Sequence, residues 1–133
     1  MIFRVIYPGA LEPLLTERAG RGLFRVCVPC VFAIGDRHIV VPRGFITDGA
    51  SIPRWARWAI ESWGRVAFAS ILHDYMLEHT NEEKWLIDWC FYGMLRACGV
   101  GGLTAAAMYL AVRTRSAAAR KSQVDGLGAN CFA

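Results

Sequence analysis

Ser70-Ile71-Leu72-His73-Asp74-Tyr75-Met76 and, a short way on, Lys84-Trp85-Leu86-Ile87-Asp88 are the two runs that set the architecture of this chain. An imidazole followed at once by a carboxylate, inside an apolar helical run, brings a titratable base and a hard metal ligand to one place. Between the runs lies Thr80-Asn81-Glu82-Glu83, where Thr80 and Glu83 have capping-box spacing, so a new helix is expected to start there. Two helices joined by so short a turn lie antiparallel. His73 precedes the middle of the turn by about as many residues as Asp88 follows it, and at about 1.5 Å per residue the two stand at the same height. They are expected to face each other.

The chain has 133 residues, 55% hydrophobic and 20% charged, which is enough for one packed core. The expected fold is α+β: a single domain over residues 1–121, with a small N-terminal β region at 1–44 and a helical bundle at 45–121, then a tail at 122–133. The net charge of +4 includes a cluster at Arg113, Arg115, Arg120 and Lys121, which suits an anionic surface, although an excess of this size more often serves plain solubility. No phosphate-cradling glycine loop or nucleic-acid motif is present, so no nucleic-acid partner is expected.

Met1-Ile2-Phe3-Arg4-Val5-Ile6-Tyr7-Pro8 puts a charge and then a proline where a secretion signal needs an unbroken apolar stretch. Synthesis in the cytoplasm without a signal peptide is the expectation. The longest apolar run, Val100 through Val112, is shorter than the about 20 residues of a spanning helix. Five cysteines are unevenly spaced; Cys27 and Cys30 outline half a zinc ribbon, but no second close pair completes it. Cys90 and Cys98 lie in an apolar helix and read as reduced core thiols.

Phe24 through Phe32 is rich in valine and reads as strand, and Val31 through Val41 has two apolar runs flanking Gly35-Asp36, the pattern of a β-hairpin. His38, just past that turn, reads as a surface residue. Residues 10–22 carry a weak helical pattern in Leu11, Leu14 and Leu15, while Gly20 and Gly22 favour a loop, so neither is assigned. Pro42 through Pro53 is a loop closed by Ser51 as N-cap and Pro53 in a first helical turn running toward Glu61. After a break at Ser62-Trp63-Gly64, one helix carries His73, the next carries Asp88 and ends near Gly99, and a last one runs from about Leu103 to Arg120.

A neutral histidine takes a proton from water near neutral pH when a facing carboxylate holds its other ring nitrogen in one tautomer. Asp88, at the edge of the stripe Ile87, Phe91, Met94, Leu95 and Cys98, is a candidate for that carboxylate. Asp74 points about 100° round the helix from His73. Calcium takes carboxylate and carbonyl oxygens, and the Asp48-Gly49 turn offers both. Each residue has a plain alternative: a surface polar patch at His73 and Asp74, a solvated Lys84–Asp88 pair one turn apart, an ordinary turn aspartate at Asp48.

The run Phe45-Ile46-Thr47-Asp48-Gly49-Ala50-Ser51-Ile52-Pro53, then His73-Asp74-Tyr75, then Lys84 through Phe91 with Met94 and Cys98, resembles the small secreted bacterial and fungal phospholipases A2. It also resembles, more closely, a group of phage and prophage proteins of unassigned function that share the F-x-T-D-x-A-S-I-P and H-D-Y motifs and the N-terminal β region. The phospholipase likeness implies His73 as general base, Asp88 as the residue that orients it, and Asp74, Asp48 and the Gly49 carbonyl as ligands of Ca²⁺, with a fatty acid and a lysophospholipid as products. Ala50 and Ser70 stand where that family has disulfide cysteines. Leu77 stands where it has a tyrosine that fixes the catalytic acid, a loss expected to loosen Asp88.

Arg54-Trp55-Ala56-Arg57-Trp58 suits a membrane interface or, alternatively, a helix with its tryptophans in the core. Trp85 and Trp89 are expected in the core. Two functions follow from different classes. One is a Ca²⁺-dependent phospholipid esterase acting at a membrane surface. The other is a non-catalytic virion or tail-associated protein on the same scaffold, contacting neighbouring virion proteins; a metal-dependent cell-wall amidase or peptidase is a weaker third.

Overall fold

The computed structural model describes residues 2–8, 16–20, 23–47 and 63–114. Among them an N-terminal antiparallel sheet region precedes three helices, an α+β arrangement. The strands are β1 (Phe3–Tyr7), β2 (Thr16–Gly20), β3 (Leu23–Val26), β4 (Cys30–Ile34), β5 (Arg37–Val41) and β6 (Ile46–Thr47). The helices are α1 (Trp63–His79), α2 (Lys84–Ala97) and α3 (Gly102–Arg113). Two three-stranded sheets form, ordered β1-β4-β5 and β2-β3-β6, with every pair antiparallel.

The expected hairpin is β4–β5. Ile34 pairs with Arg37 across Gly35-Asp36, and Gly35 has φ 59°, the left-handed region that a two-residue hairpin turn with glycine at its first central position uses. His38 is exposed, as expected. The valine-rich stretch from Phe24 is not one strand. Pro29 has no N–H for a ladder, and the chain breaks around it, so that β3 and β4 belong to different sheets. Thr16–Gly20, unassigned from sequence, pairs with β3 and places Glu17 2.6 Å from Arg25 across the strands.

α1 is buried without interruption from Val66 to Asp74 because it is covered on more than one side: it packs on α2 and touches β5 and β6. Its start at Trp63 lies inside the stretch expected to be a break. α2 also packs on α3 and lies against β1. The approach to β1 depends on Gly93, where an added Cβ would stand 2.2 Å from the Phe3 ring. Phe32, Phe68, Ile71, Leu72, Phe91 and Met94 fill the space between sheet and helices, each worth about 1.5–3 kcal/mol of apolar burial.

The capping box does not form. Thr80 uses its hydroxyl and its amide on the Met76 carbonyl, closing α1, and α2 starts after Glu83, whose carbonyl accepts from Leu86 and Ile87 without a side-chain cap. Trp85 and Trp89 are not in the core; they are 56% and 44% exposed. The inward face of α2 is taken by Ile87, Cys90, Phe91, Met94 and Leu95, and residues 85, 89 and 92 fall on the opposite arc. Cys30, Cys90 and Cys98 are buried free thiols, each pushed up to about 11 by burial. Cys27 is a free thiol too, and among the described residues no group of three His, Cys, Asp or Glu could hold a metal. The expected loop at Asp48-Gly49, the helix toward Glu61, the continuation of α3 to Arg120 and the tail at 122–133 lie outside the described residues. No helix among the described residues is long and apolar enough to cross a membrane.

Candidate functional site

α1 and α2 run antiparallel about the Thr80–Glu83 turn, and this alone brings His73 opposite Asp88. His73 Nε2 stands 2.6 Å from Asp88 Oδ1. Both are buried, at 3% and 0% exposure. The imidazole is fixed from the side by Phe91, whose ring centroid is 5.1 Å away.

The other oxygen of Asp88 is also occupied. Lys84, one turn earlier on α2, places Nζ 2.7 Å from Asp88 Oδ2, and Arg113, at the end of α3, places Nη1 3.1 Å from the same atom. Lys84 bonds the Val112 carbonyl as well, at 2.7 Å, satisfying one of the carbonyls left open at the C-terminus of α3. One buried carboxylate therefore gathers groups from all three helices. Burial alone would raise its pKa, but hydrogen bonds from His73 and Lys84, with the Lys84 charge beside it, outweigh that and hold it below the ordinary carboxylate value.

A carboxylate accepts, so Nε2 carries the proton in a neutral ring and Nδ1 holds the lone pair. Nδ1 lies on the side of Asp74, 3.8 Å from its Oδ1. Asp74 is fully buried and accepts a hydrogen bond from the Thr47 hydroxyl, which ties the end of β6 to α1. Ser70, one turn before Asp74 and so on the same face of α1, is also fully buried, and its hydroxyl makes no hydrogen bond among the described residues.

Of the site residues expected from sequence, His73, Asp74 and Asp88 are thus brought together, and Asp48 and Gly49 lie outside the described residues. The Lys84–Asp88 pair is real but not solvated at the aspartate. Leu77, at the position expected to loosen Asp88, packs against the core, and Lys84 and Arg113 both bond the Asp88 carboxylate. Thr47 and Arg113 were not singled out for the site. Thr47 had a signal in its place just before Asp48, whereas Arg113 reaches Asp88 from 25 residues away and offers only a basic side chain in a last helical turn.

A cleft of about 280 Å³ lies elsewhere, between the β4–β5 turn and α1 and α2, lined by residues that include Arg37, Met76 and Cys90. No member of the His73–Asp88 pair lines it.

Fold and site together define an α+β domain whose helical half encloses a histidine–aspartate pair with a second carboxylate beside it. The chain belongs to the family described as "Protein of unknown function (DUF1353)", which matches residues 24–112 and so takes in the strands from β3 onward and the three helices, but not β1 or β2. It is similar to "Uncharacterized protein y4jT" of Sinorhizobium fredii (strain NBRC 101917 / NGR234), 41% identical over 76 residues, 56% of this chain and 23% of that protein. The matched part is therefore about a quarter of that relative's length. No solved structure matches the chain.

Proposed function

We propose that the chain carries a phospholipase A2-like site, a Ca²⁺-dependent hydrolase of phospholipid esters in which His73 is the general base and Asp88 holds it. The observation that carries this reading is the 2.6 Å contact of His73 Nε2 with a carboxylate itself fixed by Lys84 and Arg113. So held, the ring directs its Nδ1 lone pair away from Asp88 and takes a proton from water. The hydroxide so formed attacks the ester carbonyl carbon. As the bond to the alkoxy oxygen breaks, the proton on Nδ1 passes to that oxygen, giving a fatty acid and a lysophospholipid.

Part of a ligand set for a hard cation lies among the described residues. Asp74 offers a buried carboxylate, the Ser70 hydroxyl is an orphaned oxygen on the same face, and Thr47, bonded to Asp74, leads directly into Asp48-Gly49. Asp74, with Asp48 and the Gly49 carbonyl, would hold Ca²⁺, which when bound polarises the ester carbonyl, an effect worth several kcal/mol. The test is fatty-acid release from mixed anionic and zwitterionic vesicles, with Ca²⁺ or with chelator, by the parent and by His73→Ala. Release that needs both the metal and the imidazole supports the reading; release by His73→Ala at the parental rate overturns it.

A second reading, a non-catalytic virion or tail-associated protein of phage type, draws on the same clasp. Asp88 joins α1, α2 and α3, and a buried polar joint of that kind also serves a scaffold. It predicts neither turnover nor calcium binding, and incorporation of the chain into an assembled particle.

A further inference from the structure

Ser70 Oγ is fully buried and has no hydrogen-bond partner among the described residues. A buried hydroxyl without a partner costs stability, so in a native fold such a group nearly always meets protein, an ion or ordered water. Inside a helix the ready partner of a buried serine is the carbonyl four residues back, and Ser70 does not take that of Val66.

The groups beside it narrow the choice. Helical side chains lean toward the N-terminus, so His73 and Asp74, three and four residues on, lie over the turn that carries Ser70. Thr47 bonds Asp74 Oδ2, and Asp74 Oδ1 stands 3.8 Å from His73 Nδ1. Because Nε2 gives its proton to Asp88, Nδ1 presents a lone pair. A lone pair and a carboxylate oxygen both accept, and neither can bond the other. A small species that donates twice joins them, and one water spans that separation at ordinary hydrogen-bond lengths. The water then accepts from the Ser70 hydroxyl, which brings it to about three hydrogen bonds, the usual number for a buried water. A protonated imidazole would donate to Asp74 directly and leave Ser70 still without a partner. A cation would use the serine oxygen but not its hydrogen.

We propose that Ser70 holds an internal water between His73 Nδ1 and Asp74 Oδ1, and so is the positioning residue for the water that His73 deprotonates. As that water gives its proton to Nδ1, the Ser70 O–H goes on donating to the hydroxide that remains. The role of the water rests on the hydrolase reading, whereas its place rests on the buried Ser70 hydroxyl. Ser70 is not needed for the Ca²⁺, which Asp74, Asp48 and the Gly49 carbonyl would hold.

The full chain is crystallised in chelator and again with Ca²⁺, and urea unfolding is compared for the parent, Ser70→Ala, Ser70→Thr and Ser70→Val. Density for a water within hydrogen-bond distance of Ser70 Oγ, His73 Nδ1 and Asp74 Oδ1 supports the proposal. Ser70→Ala strips the water of its donor and is expected to unfold at a lower urea concentration than the parent, although alanine is the better helix former. Threonine and valine have similar volume, so crowding by the extra methyl is common to both, and Ser70→Thr should keep the higher midpoint of the two. Where ester turnover is measured, folded Ser70→Ala should lose about tenfold or more in kcat with KM unchanged, and Ser70→Thr should recover part of that loss. Ser70 Oγ bonded to a protein group in the crystal overturns the proposal, as does Ca²⁺ bound directly to it. A Ser70→Ala midpoint equal to or above that of the parent overturns it too, since removing a truly unpartnered hydroxyl would stabilise the fold. Parental kcat in folded Ser70→Ala overturns the positioning role. A parent that releases no fatty acid ends the hydrolase reading, while the density and the midpoints still decide whether Ser70 holds the water.

Discussion

The two faces of α2 invert the usual association of charge with water and of tryptophan with the core. Asp88 is wholly buried, and Trp89, the next residue, is nearly half exposed. The inward arc of the helix admits a carboxylate because His73 of α1, Arg113 of α3 and Lys84 of its own helix donate to it, while the outward arc leaves Trp85 and Trp89 about half exposed, the Trp89 ring met by Tyr109 of α3 only edge-on. Burial here follows the helical angle and the partners available, and hydrophobicity decides only where neither constrains the residue.

The strongest way to break this contrast is Asp88→Leu. It removes the acceptor shared by His73, Lys84 and Arg113. Removing one member of a buried pair costs about 3–5 kcal/mol, and because Lys84 and Arg113 reach water and re-solvate, the lower end, about 3 kcal/mol, is expected in urea unfolding. A loss below about 1 kcal/mol would mean that the clasp contributes little. Titration gives the graded form of the same test. The folded pKa of Asp88 lies below its unfolded value of 3.8, so its stabilisation is complete well above that pH and is lost as pH falls through the folded value. Urea midpoints measured from about pH 6 down to about pH 2 should drop more steeply for the parent than for Asp88→Asn. Parallel curves would contradict the assignment.

Gly93→Ala probes the third contact of the same helix. Alanine favours the helix by about 1 kcal/mol, but its Cβ meets the Phe3 ring, and overpacking costs about 1–3 kcal/mol. A net loss of about 1 kcal/mol in thermal unfolding is expected, recovered in part when Phe3→Ala is added. A stabilised single variant would show that β1 yields without cost. At the small end, Trp85→Ser should leave unfolding free energy within about 0.5 kcal/mol of the parent, because the indole buries little against the fold. A loss near that of Asp88→Leu would mean that the outer face packs against something after all.

The same contrast separates what the sequence could tell from what it could not. The β4–β5 hairpin was legible because alternation and a Gly-Asp turn agree, and the meeting of His73 with Asp88 followed from counting residues on either side of one turn. Lys84 was legible as a partner of Asp88 from its spacing of four. Arg113 was not, since its approach depends on how α3 docks on α2, and no local pattern encodes that. Trp85 and Trp89 run against their residue type, which favours the core, because the stripe through Ile87, Phe91 and Met94 sets them on the opposite side. β2 escaped because Thr16–Gly20 lacks a β-rich alternation and owes its strand to pairing with β3.

The central claim is that the His73–Asp88 pair is a working dyad and more than a joint between helices. Ester turnover and urea unfolding of Asp88→Asn, measured side by side on the same preparation with Ca²⁺ present, test it most directly. The carboxamide keeps the shape but not the charge, so turnover should fall by about 10²–10⁴-fold while most of the protein stays folded at neutral pH. Turnover equal to that of the parent in a folded Asp88→Asn, or a parent that releases no fatty acid at any Ca²⁺ concentration, would contradict it.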